Sequence, residues 1–144
     1  MPPSLPDAMH ATAARSRAHS QPLLVAVAVG VLFWFLAALF IRAAGTSVFA
    51  AGGAAPILLF AATVPLGWLL VETVARWGGF EEQAIFPVIV TMCLTGLVLD
   101  GIAIVWFAGL YDLPSESLSI AAAWLLWGVG SLLALAVRKM PGLE

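Results

Sequence analysis

Apolar residues run almost without interruption through four stretches of the chain, at about 22–41, 56–75, 84–107 and 118–137, and polar residues gather between them. At about 1.5 Å of rise per residue, each stretch is long enough to cross a hydrocarbon core roughly 30 Å thick as a helix. Strands of a membrane barrel would alternate apolar with polar positions, and these segments do not. Helices also satisfy their own backbone locally, which a short and continuously apolar chain requires. The pattern therefore predicts an all-α fold, a four-transmembrane-helix bundle.

The punctuation supports these divisions. Pro22 and Pro56 fall at first-turn positions, where a missing N–H costs little. Gly45, Gly52 and Gly53 break the first connection, and Gly78 with Gly79 ends the second helix. Pro114, Ser115, Glu116 and Ser117 form the third connection, whose serines are candidate caps for the last helix. Pro65 should kink the second helix, whereas Pro87 should sit in the first turn of the third. Glu81 and Glu82 should start that third helix, where negative charge suits the dipole. Residues 1–21, rich in Pro and Ser with no apolar periodicity, read as a mobile tail, and 138–144 as a short terminal tail.

Composition agrees with a membrane protein: 62% of residues are hydrophobic, 10% are charged, and the mean hydropathy is +1.06. The 144 residues leave no room for a separate soluble domain beside four spans. A net charge of −2 without a basic cluster gives no footprint for nucleic acid. The single cysteine, Cys93, forbids an internal disulfide and Cys-x-x-Cys redox chemistry. It reads as a small buried residue, since no His accompanies it in any segment. His10 and His19 have no metal-ligand company, so neither a metal nor another cofactor is expected. Arg15 and Arg17 precede the first segment and Val48-Phe49-Ala50 resembles a small-residue cleavage site. The segment is nevertheless longer than a signal core, and Arg42 intervenes, so a retained helix is expected.

Charge sets the expected orientation. Arg15, Arg17, Arg76, Arg138 and Lys139 share one side and only Arg42 lies on the other, which predicts cytoplasmic N- and C-termini in a multi-pass protein of the cell (inner) membrane. Trp77, Trp106 and Tyr111 lie near boundaries and suit interfacial anchoring.

Asp100 is the exceptional residue. An Asp at mid-membrane costs roughly 2.5–3.5 kcal/mol on insertion scales, so it should face a protein interior and have a partner. Its helical neighbours Cys93, Gly96, Leu97, Ala103 and Phe107 are mostly small, which predicts a face packed inside the bundle. It lies roughly 10 Å below the nearer end of its segment. At that depth the other helices place Trp34, Thr63 and Trp124, all able to donate a hydrogen bond, and Trp127 lies a turn deeper. Arg42 starts at the boundary with a stem long enough to reach inward. The expected polar cluster is an Asp100–Arg42 pair lined by Trp34, Thr63 and Trp124. Glu72 and Arg76, in i,i+4 order, should form a surface ion pair. On the fourth helix Trp124, Trp127 and Ser131 make a stripe, and Gly130 with Ala134 has small-xxx-small spacing compatible with a homodimer face.

Several of these pieces together, Arg42-Ala43-Ala44-Gly45, Leu99-Asp100-Gly101, Tyr111 and Leu126-Trp127-Gly128, resemble a family of small bacterial four-helix integral membrane proteins of no assigned function. The resemblance covers about residues 22–137 and implies four spans; it implies no ligand or catalytic residue. Function classes follow from the polar inventory. Only Asp100 and Glu72 lie as acids within the spans, too few for catalysis, so no enzyme is expected. A small proton-coupled transporter working as a homodimer, with Asp100 as its protonatable site, is one reading. Small exporters of that kind resemble one another in an acid on the first helix, which is missing here. The preferred expectation is an accessory or structural membrane component, embedded in the lipid bilayer and packing with its own copies or in a larger membrane complex.

Overall fold

A computed structural model describes the backbone from residue 5 to 140 and side chains from 23 to 140 except that of Glu82. Its elements are α1 (Leu5–Val48), α2 (Ala54–Trp77), α3 (Glu82–Trp106), a short 3₁₀ turn (Ala108–Leu110) and α4 (Ser115–Val137). Among the described residues, four helical stretches are long and apolar enough to cross a membrane, Leu23–Val48, Ala54–Trp77, Gln83–Trp106 and Ser115–Val137. The protein is thus an all-helical, multi-pass membrane protein. Backbone from Leu5 onward belongs to α1, although residues 1–21 read as a tail; residues 1–4 and 141–144, and the side chains of His10, Arg15, Arg17 and His19, lie outside the described residues.

Three of the glycine breaks, Gly45, Gly52 and Gly79, take a positive φ. Gly45 interrupts α1 with φ 53° and ψ −149°, a left-handed conformation that L side chains resist. Gly52, at φ 76°, and Gly79, at φ 64°, turn the first and second connections. Two expectations about the helix starts need correction. Pro114, not a serine, occupies the N-cap of α4 and no side chain caps it; Ser115 already lies in the helix, and its carbonyl accepts from Ser119. Pro87 lies beyond the first turn of α3, because that helix begins at Glu82.

Packing pairs α1 with α3 and α2 with α4, and α3 also meets α4, while α1 and α2 scarcely touch. Gly30 explains the first pairing. A Cβ there would stand 2.8 Å from the Met92 carbonyl oxygen and 2.9 Å from the Thr95 Cβ, so only glycine admits this crossing. At Gly67 a Cβ would meet Leu132 and Leu135 at 3.4 and 3.5 Å, an ordinary contact between α2 and α4. Burial concentrates toward the two ends. One cluster gathers Ile41, Phe49, Ala103, Tyr111 and Ala121 near the α3–α4 connection, and another gathers Val71, Ile85, Ile89, Cys93 and Ala136 near the opposite end. Between them the weak α1–α2 contact leaves a central cavity.

Candidate functional site

Asp100 sits on α3 with 8% of its surface exposed, within the stretch where all four helices line that cavity of about 540 Å³. Trp34 and Phe33 come from α1, Thr63 from α2, Gly96 from α3 beside Asp100, and Trp124 from α4. Four residues placed at a common depth from the sequence, Asp100, Trp34, Thr63 and Trp124, therefore surround one space. Exposed residues of both α1 and α2, Phe33 at 42% and Leu66 at 62%, also line it. The cavity thus opens sideways between those two helices.

The fifth member of the expected cluster is elsewhere. Arg42 donates from Nη1 to the carbonyl oxygen of Leu110 at 3.0 Å, in an exposed position, and forms no pair with Asp100. The place above Asp100 is taken by Tyr111, whose hydroxyl donates to Asp100 Oδ1 at 3.4 Å. The 3₁₀ turn folds the chain back so that Tyr111 lies over α3, only 1% exposed, rather than at a lipid boundary as an anchor. The physical reason is desolvation: a phenol is far cheaper to bury than a guanidinium, and a free carbonyl at the 3₁₀ turn offers Arg42 an acceptor it can reach without leaving the surface. Burial, with the Asp100 carboxyl beside it, pushes the Tyr111 hydroxyl up to about 12. Trp77 and Trp106, 86% and 71% exposed, sit outward at the helix ends.

The remaining polar atoms divide into spent and unspent ones. Trp124 Nε1 donates to Thr63 Oγ1 at 2.7 Å, and that hydroxyl donates in turn to the Leu59 carbonyl at 2.7 Å. Trp127 Nε1 donates to the Phe60 carbonyl at 3.0 Å, a second tie from α4 to α2. Phe40 and Phe49 pack their rings against Trp124 at 5.5 and 5.9 Å, which holds its indole in place. Trp34 Nε1, by contrast, is buried near Asp100 and Tyr111 without hydrogen-bond geometry to either. Asp100 Oδ2 likewise accepts no side-chain hydrogen bond among the described residues. The small face expected around Asp100 is half right. Cys93 and Ala103 are buried, Gly96 borders the cavity, but Leu97 and Phe107 turn outward.

At the opposite end Glu72 pairs with Arg76 at 3.2 Å, and also with Lys139 at 2.7 Å. The second contact joins α2 to the end of α4 and had no local sequence signal, since the residues are far apart in the chain. Gly130 and Ala134 face outward, and nothing stands within 4 Å of a Cβ built at Gly130. No group of His, Cys, Asp and Glu suited to a metal ion occurs among the described residues.

No curated protein and no solved structure matches the chain. A family model, that of a family of unknown function (DUF5367), matches residues 49–140. The match takes in α2, α3, α4 and the connection carrying Tyr111, while Trp34 and Arg42 on α1 lie ahead of it. With well over half of its length so matched, the chain belongs to this family of unknown function.

Proposed function

We propose that this chain is a non-enzymatic, accessory or structural component of the cell (inner) membrane, with both termini cytoplasmic, that packs with further copies or with a larger partner. The supporting observation is the use of its intramembrane polar groups. The Trp124–Thr63 and Trp127–Phe60 bonds tie α4 to α2, and Tyr111 ties the α3–α4 connection to Asp100. Groups spent in this way define helix register, as interhelical polar contacts in membranes commonly do. Helices rather than a barrel favour the inner membrane. The excess of Lys and Arg on the side of Arg76, Arg138 and Lys139 favours the orientation.

A transporter reading, with Asp100 as its protonatable site in a homodimer, draws on the central cavity beside that residue. Flux measurements in liposomes separate the two. The structural role predicts no proton or substrate flux above empty vesicles, with Asp100→Asn and Tyr111→Phe lowering stability only. A flux carried by the wild type and lost in a folded Asp100→Asn protein would overturn it.

A further inference from the structure

We infer that the central cavity is a binding site for a compact lipophilic organic cation, entering from the bilayer between α1 and α2 and paired with the Asp100 carboxylate. This goes beyond the structural role and does not depend on it.

Charge complementarity carries the inference. Asp100 is buried, the donors beside it, the Tyr111 hydroxyl and the Trp34 indole, are neutral, and no Lys or Arg among the described residues pairs with it. A carboxylate withdrawn from water and left without a cation is costly, so a positive group arriving there gains what the chain itself does not provide. Size and lining specify the rest of the ligand. A volume of about 540 Å³ is that of a small-molecule site, lined almost wholly by apolar side chains with one acid and a few polar groups. The rings of Phe33, Trp34 and Trp124 belong to the same wall, and aromatic rings attract cations. A hydrated inorganic ion would find too few oxygen ligands here, since hard cations take six or more. An anion would meet the carboxylate unfavourably. An organic cation with an aryl or alkyl body satisfies both the acid and the apolar wall, and the side opening lets it enter from lipid.

Tetraphenylphosphonium and tetraphenylborate, nearly identical in shape and opposite in charge, test this on the purified full-length protein. Equilibrium dialysis should show saturable binding of the cation at one site per chain and none of the anion. Asp100→Asn should weaken the cation at least tenfold. Gly96→Leu, which leaves Asp100 intact but projects into the cavity where a Cβ meets nothing within 4 Å, should do the same. Trp127→Phe, outside the cavity wall, should bind as the wild type does. The wild type also reports without substitution, because its one cysteine, Cys93, lines the cavity. The phosphonium should slow methanethiosulfonate labelling of Cys93 about tenfold, and the borate should not. Equal binding of the two ions, labelling unaffected by the cation, or full cation affinity in a folded Gly96→Leu protein would each overturn the site.

Discussion

The same substitution, glycine to alanine, should have opposite consequences at Gly30 and Gly130. At Gly30 the new methyl would lie 2.9 Å from the Thr95 Cβ and 2.8 Å from the Met92 carbonyl oxygen. Ordinary carbon contacts begin at about 3.5 Å, so α1 must retreat from α3 by roughly 0.6 Å at the crossing. The carbonyl belongs to a helix backbone and cannot swing aside as a long side chain would. Overpacking of this kind costs about 1–3 kcal/mol, offset by about 0.5–1 kcal/mol from the better helix propensity of alanine. The net loss at Gly30 should be about 1–2 kcal/mol, of the order of a tenfold change in the unfolding equilibrium. At Gly130, where a Cβ meets nothing within 4 Å, only the propensity gain remains, and stability should hold or rise. Unfolding in mixed micelles titrated with dodecyl sulfate, followed by circular dichroism, measures both variants against the wild type. Equal stability of the two variants would refute the close α1–α3 crossing and with it the packing that leaves the cavity open toward α2.

A double-mutant cycle of Trp124→Phe and Thr63→Val, read in the same unfolding assay, should give a coupling of about 0.6 kcal/mol and no more than about 1.7 kcal/mol, the range for interhelical bonds in lipid; additivity would mean the 2.7 Å bond contributes nothing. For Tyr111, whose hydroxyl is pushed up to about 12 from a usual value near 10, the folded state holds its proton more tightly than the unfolded chain does. The stability it confers is complete below about pH 10 and falls as pH rises toward 12, so Tyr111→Phe should flatten the alkaline part of the stability profile. Loss of Lys139 should matter less: Lys139→Ala removes one of the two cations paired with Glu72 at a partly exposed helix end, and its effect should stay under about 1 kcal/mol and shrink with added salt.

Much of the architecture was legible in the order of residues. Runs of apolar residues too long for a soluble strand dictate spans, and the glycines at 52, 53, 78 and 79 mark the connections between them, because both are local properties. Depth was legible for the same reason: a fixed rise per residue puts Trp34, Thr63, Asp100 and Trp124 at one level, and the structure indeed brings them to one cavity. Partnership was not legible. Arg42 was the expected counter-ion of Asp100 because opposite charges attract, yet that reasoning omits the cost of drawing a guanidinium from the surface. Tyr111 reads as a boundary anchor because its position near a helix end is all that sequence discloses.

Sequence alone therefore determined that the chain crosses the membrane in four helices, where it turns, and that one acid is buried among them. Only tertiary structure decided what that acid meets. The fold-back of the 3₁₀ turn supplies a phenol in place of a cation, and the Gly30 crossing draws α1 onto α3 and away from α2. Helix formation depends on neighbours a turn away, whereas the side of Asp100 left open depends on which helices approach closest, and that is settled by contacts between residues distant in the chain.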